Sequence, residues 1–325
     1  MSLRRRDVLR VILALFPAPL AAQSQPASKV YRIGWLGAAP TDSVWKPFVD
    51  GLRERGWIEG KNLAFERLFS DGRNERFPAL AAELAKRKVD VIVTAGTPPA
   101  VAARDATTTI PIVFWFVGDP VGSGLVASLA RPGRNLTGLG GLGVGLGVKQ
   151  LELLKEVVPK ASRIAMFVND AYPPHAVLRA EVEPAARRLG LTPIPVQVSS
   201  PNDLDSAFAA LARDRIDALY ILGEPFIAAE RVRVAKLALD HRMPAISPFD
   251  IATQAGLLLS YGASLVDSVS RVPHYVDRIL KGAKPADLPV EQPTRFYLTI
   301  NLKTAAAIGL TVPPSTLTRA DQVLQ

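Results

Sequence analysis

Short apolar runs alternate along this chain with longer stretches whose apolar positions recur at three- and four-residue spacing, the mark of strands interleaved with amphipathic helices. The spacing predicts strands over 30–36, 62–69, 89–95 and 112–117, with helices over 43–57, 77–87 and 98–107 between them. A glycine-rich stretch over 138–147 follows and leads into a helix ending at Val158. A second series then places strands over 163–168, 192–198, 216–222 and 244–247, separated by helices over 176–189, 202–213 and 226–241. Such alternation predicts an α/β fold of parallel sheets covered by helices on both faces. The tail adds a helix over 264–281, a proline-rich connector over 285–293 and a strand over 296–300, after which Asn301 caps a helix over 303–308 that Gly309 ends.

The two series resemble each other. Residues 84–98 (LAKRKVDVIVTAGTP) align with residues 211–225 (LARDRIDALYILGEP). Upstream, 32–36 matches 163–167; downstream, 110–112 matches 243–245. Three matches in the same order at similar offsets predict two similar Rossmann-like lobes. The tail elements imply that the chain crosses back, so the expected division is a first lobe of 30–138 plus 260–290 and a second of 139–259 plus 291–325, hinged over a cleft.

Composition narrows the chemistry. Cysteine is absent, which excludes disulfide scaffolds, thiolate metal sites and cysteine nucleophiles. Three histidines, His175, His241 and His274, are too scattered for imidazole clusters, and no cofactor or metal site is expected. Residues 1–24 read as an export signal: Arg4, Arg5 and Arg6, then a proline-broken apolar run, then small residues around Ala21 and Ala22. Arg5 and Arg6 also fit the twin-arginine pattern. The net charge of +9 falls to +6 without that leader, and acids and bases interleave in the remainder, which argues against nucleic-acid binding. A soluble, exported, monomeric protein is expected.

Ligands of open parallel sheets sit beyond the carboxyl ends of the strands. There the first lobe offers Ala39, Thr97, Pro98, Asp119 and Pro120, and the second offers Asn169, Tyr172, Glu224, Phe226 and Phe249. Small residues let backbone amides approach a ligand, the helices opening at Pro98 and Phe226 suit an anion, and aromatics supply walls. His175 follows a cleft loop and could reach a ligand; Trp35 reads as core, and Trp115 as core before cleft. Gly138, Gly140 and Gly143 satisfy a dinucleotide-type spacing, but no acid-ending strand follows, so the run reads as a flexible crossing between lobes. Ser43 and Lys46 have Ser-x-x-Lys spacing without its companion motifs, and no nucleophile elbow, phosphate loop or paired carboxylates suggest catalysis.

The same loops carry a likeness. Residues 89–98 (VDVIVTAGTP), 110–114 (IPIVF), 118–122 (GDPVG), 124–133 (GLVASLARPG), 135–138 (NLTG) and 281–289 (KGAKPADLP) resemble the ABC-transporter substrate-binding family related to the tryptophan-binding proteins. The resemblance implies a type I periplasmic-binding-protein fold closing over a small molecule, an amino acid or an aromatic or carboxylate compound. It also implies delivery to an ABC permease with its ATPase, in the periplasm. Two departures stand out: no lipid-anchor cysteine, and Gly223-Glu224-Pro225 where the amino-acid binders carry an Asp-Asn pair. An exported sensor signalling to a membrane kinase, and an exported two-lobed enzyme, are the alternative readings.

Overall fold

The computed structural model describes residues 29–140 and 145–325; the leader and residues 141–144 of the glycine-rich run lie outside the described residues. The first series folds as β1 (Tyr31–Gly37), α1 (Asp42–Glu54), β2 (Leu63–Phe69), α2 (Phe77–Lys86), β3 (Val91–Ala95), α3 (Thr97–Ala106), β4 (Ile112–Val117) and β5 (Leu136–Gly140). These strands form one sheet in the order β2-β1-β3-β4-β5, parallel throughout.

The second series runs α4 (Leu146–Val157), β6 (Arg163–Val168), α5 (Pro173–Arg188), β7 (Thr192–Gln197), α6 (Leu204–Arg213), β8 (Ala218–Ile221), α7 (Pro225–Ala229), α8 (Arg231–Asp240), β9 (Ala245–Ser247), α9 (Asp250–Gln254) and β10 (Leu259–Gly262). The chain then crosses back as α10 (Leu265–Leu280), which packs on α1, β4 and β5 of the first sheet. It returns as β11 (Tyr297–Asn301), α11 (Leu302–Ala307), α12 (Pro314–Thr318) and β12 (Gln322–Leu324). The second sheet is ordered β7-β6-β8-β9-β10-β11-β12, with only the β10–β11 pair antiparallel. The strands β5 and β10 both run across the boundaries expected at 138/139 and 259/260.

The repeat read in the sequence is a repeat of structure. Strands β1, β2, β3 and β4 occupy the places in their sheet that β6, β7, β8 and β9 occupy in theirs. The aligned aspartates do one job: Asp90 accepts from the Arg32 amide at 2.8 Å, and Asp217 from the Arg163 amide at 2.9 Å. The aligned Lys88 and Arg215 turn the chain into β3 and β8 with φ of 53° and 52°, the left-handed turn after each preceding helix. Alternation buries one face of each sheet in a common apolar cluster that joins Ile33, Phe48 and Val113 to Phe167, Phe208 and Phe249. Pro193 and Pro195 are tolerated in β7 because it is an edge strand.

Two expectations change. The glycine-rich run begins not as a flexible crossing but as β5, whose Gly138 passes so close to β4 that a Cβ there would lie 1.8 Å from the Phe114 carbonyl oxygen. The helix expected over 226–241 is two, α7 and α8, which meet at Glu230 with ψ near 10°. No glycine or proline marks that break, so the hydrophobic pattern could not show it. Asn301 caps α11 as expected, its side chain accepting from the Thr304 amide at 3.0 Å.

Candidate ligand-binding site between the lobes

The carboxyl ends of the two sheets face each other across a chamber with about 760 Å³ of atom-free space, its mouth included. Aromatic side chains make its walls: Trp35 and Trp115 from β1 and β4, Phe116, Tyr172 and Phe249. Trp35 and Trp115 share one sheet face because side chains alternate along each strand, and their ring centroids lie 6.4 Å apart. The small Ala95, paired with Trp115 on the neighbouring strand, leaves room for the rings.

Phe116 reaches the chamber through an irregularity. The β4–β5 register shifts between Phe114 and Val117, and Phe116 takes φ 57°. A left-handed conformation in a bulky residue costs about 1–2 kcal/mol, and such strain concentrates at functional positions. Here it turns the Phe116 ring across the cleft onto Phe249 of the second lobe, at 5.4 Å between centroids. Replacing Phe116 with glycine should remove the backbone cost along with the ring contact. The expected result, measured by titration and thermal unfolding, is weaker ligand binding with little change in the unfolding midpoint.

One carboxyl group enters this apolar chamber. Glu224, 1% exposed, is aligned with Thr97 in the repeat and stands opposite it at the start of α7. Its Oε1 accepts from Asn169 Nδ2 at 2.7 Å and from Asn74 Nδ2 of the other lobe at 2.8 Å. Its Oε2 is buried without a partner, as are Trp115 Nε1 and the Thr97 hydroxyl. Burial pushes the Glu224 carboxyl up to about 8, against a smaller opposing effect of the two asparagine bonds. Burial raises the Tyr172 phenol as well, with the nearby Glu224 charge adding to it. Neither arginine nor lysine lines the chamber among the described residues.

His175 belongs to the scaffold. Buried, it is held down to about 4 by desolvation, so it is neutral, and its Nδ1 accepts from the Asn169 amide at 2.9 Å. It thereby fixes the loop that carries Asn169 and Tyr172.

The structure separates the expected site residues. Ala39, Tyr172, Glu224 and Phe249 line the chamber. Thr97, Pro98 and Asn169 line not the chamber but an outer groove. Phe226 is fully buried in the core. Asp119 turns back on its own loop, Oδ1 accepting from the Val121 and Gly122 amides at 3.1 and 2.8 Å, and Pro120 is buried beneath it. Trp35 and Trp115 are chamber walls although the sequence reads them first as core, and Phe116 and Asn74 carry no sequence signal of their role.

Against this geometry the comparisons are specific. The family model described as ABC transporter substrate binding protein matches residues 38–324. The chain belongs to that family. A tyrosine-binding protein of Clostridioides difficile (strain R20291) is 27% identical over 272 residues, covering 83% of this chain and 77% of the relative. The structure of an ABC domain from Streptococcus pneumonia in complex with L-Trp is 26% identical and covers 91% of this chain and 100% of its own, with a TM-score of 0.82. A ligand-free, open substrate-binding protein with adhesive properties from Clostridium difficile is also 26% identical, covers 91% of this chain and 100% of its own, but reaches a TM-score of 0.61. At equal identity the overlay is better with the L-Trp complex than with the ligand-free, open structure, and the lobes here touch through Phe116 and Phe249 and through Asn74 and Glu224. The type I periplasmic-binding-protein fold and the substrate-binding class implied by the sequence likeness are therefore met.

Proposed function

We propose that this protein is the receptor of an ABC importer, exported to the periplasm, which closes its two lobes over an amine-bearing aromatic molecule of amino-acid size and presents the closed form to a permease and its ATPase. No chemistry is performed on the ligand in this reading. The observation that carries it is the chamber itself: five aromatic walls, one buried carboxyl with an unpartnered oxygen, and an unpartnered indole N–H. An aromatic body fills the space between the rings, gaining area burial and stacking. A ligand ammonium placed at Glu224 Oε2 satisfies a group whose burial is otherwise costly.

The far end of such a ligand meets Ala39 and Thr41 at the start of α1. The named ligands of the relatives, tyrosine and L-Trp, have this combination of ring, ammonium and carboxylate. A purely anionic aromatic acid fits less well, because the chamber offers it no cation and one acidic group.

Mass spectrometry of the molecules released on denaturing protein isolated from its host tests this reading. The expected result is an aromatic compound carrying a basic nitrogen. Recovery of a sugar, or of an acid without nitrogen, would overturn it.

A further inference from the structure

Glu224 lies where closure is decided. It stands on the second lobe, and its Oε1 holds one amide from each lobe, Asn169 from its own and Asn74 from the first. Opening the lobes must break the Asn74 bond and return the carboxyl to water; closing them buries it again, with Oε2 unpartnered. Asn74 from the first lobe and Asn169 and Tyr172 from the second stand against it, and His175 holds the loop that carries Asn169 and Tyr172. Burial keeps His175 neutral and Tyr172 protonated through the neutral range, and α7 itself carries no charged side chain. Only Glu224 among these groups changes charge there.

We propose that closing the lobes requires one positive charge at Glu224: a proton in the ligand-free protein, or the ammonium of the ligand when one is bound. Glu224 is then the residue that admits amine-bearing ligands and turns away anionic ones. The ligand half of this statement rests on the receptor reading above; the proton half does not.

The sign follows from linkage. In the open form Glu224 titrates near the ordinary glutamate value; in the closed form burial holds it near 8. Between those values closing takes up a proton, so acid favours the closed form and rising pH disfavours it. The closed-to-open ratio should fall about tenfold per pH unit across that window and level off on either side.

Small-angle scattering of the ligand-stripped protein between about pH 5 and about pH 9 reads this out. The radius of gyration should grow with pH, with circular dichroism showing an intact fold throughout. Glu224→Gln, which keeps an acceptor for the two asparagines and cannot ionise, should abolish the pH response; Glu224→Ala serves the same purpose if the glutamine variant does not fold. Glu75→Gln, at an exposed acid on the outer groove, should leave the response intact. A wild-type radius independent of pH, or a Glu224 variant that still expands as wild type does, overturns the proposal. Because no ligand is present, this result is separate from the receptor reading, which fails instead if the released molecule carries no basic nitrogen.

Discussion

Substituting Gly138 with alanine should lower the unfolding midpoint by about 8 °C or prevent folding altogether, the largest stability loss expected from a single methyl group in this chain. A Cβ at this position would lie 1.8 Å from the Phe114 carbonyl oxygen, 2.7 Å from its carbon and 2.9 Å from the Phe114 nitrogen. All three are backbone atoms of β4, so no side chain can swing aside. The residue also has φ 146°, outside the range that L side chains ordinarily adopt. Relief would require β5 to move off β4, breaking the pairing that continues into Gly140, Glu291 and the connector to β11. A loss of about 4 kcal/mol or more belongs to this class of overpacked backbone contact, and at roughly 2 °C per kcal/mol for a chain of this size it gives the stated shift. Thermal unfolding followed by circular dichroism checks it; a midpoint within a degree or so of wild type would show that β5 is not locked against β4 in this way.

Gly96→Ala should act on binding instead. Gly96 begins α3 in the first lobe with φ 87°, and a Cβ there would stand 2.7 Å from Pro225 Cγ in the second. The left-handed backbone costs a similar amount whether the lobes are open or closed, so it cancels from the binding equilibrium. The collision with Pro225 exists only in the closed form, and a proline ring has little freedom to yield. A penalty of about 1–3 kcal/mol on closure corresponds to roughly 5- to 150-fold weaker affinity. Titration calorimetry with L-tyrosine or L-tryptophan would measure it. Unchanged affinity would mean that the lobes do not approach this closely around a ligand.

Much of the fold is legible because the sequence writes it twice. Asp90 and Asp217, Lys88 and Arg215 repeat because each lobe needs the same tie between strands and the same helix exit. The site is legible where loops alone decide it: Glu224, Tyr172 and Phe249 follow strand ends directly. It is illegible where the strands protrude to different depths. Trp115 reads as core because alternation tells which sheet face a side chain takes, not how far beyond the covering helices it lies. Phe116 reaches the chamber through a strained bulge that no propensity favours, and Asn74 acts only through a partner on the other lobe. Asp119 has the loop chemistry of a ligand contact but is consumed by its own turn, an outcome decided by local hydrogen bonds. The glycines of β5 look like a hinge in sequence; the close approach of Phe114 is what requires one of them.

The most direct test of the account is thermal unfolding of the ligand-stripped protein with three compounds of matched ring: L-tyrosine, tyramine, which keeps only the amine, and 4-hydroxyphenylacetate, which keeps only the acid. At about a hundred times its dissociation constant a ligand adds about 2.7 kcal/mol. The account predicts upward shifts of several degrees for L-tyrosine and tyramine and none for the acid. A shift produced by the acid and not by the amine would contradict the role given to Glu224 and to the closed chamber it charges.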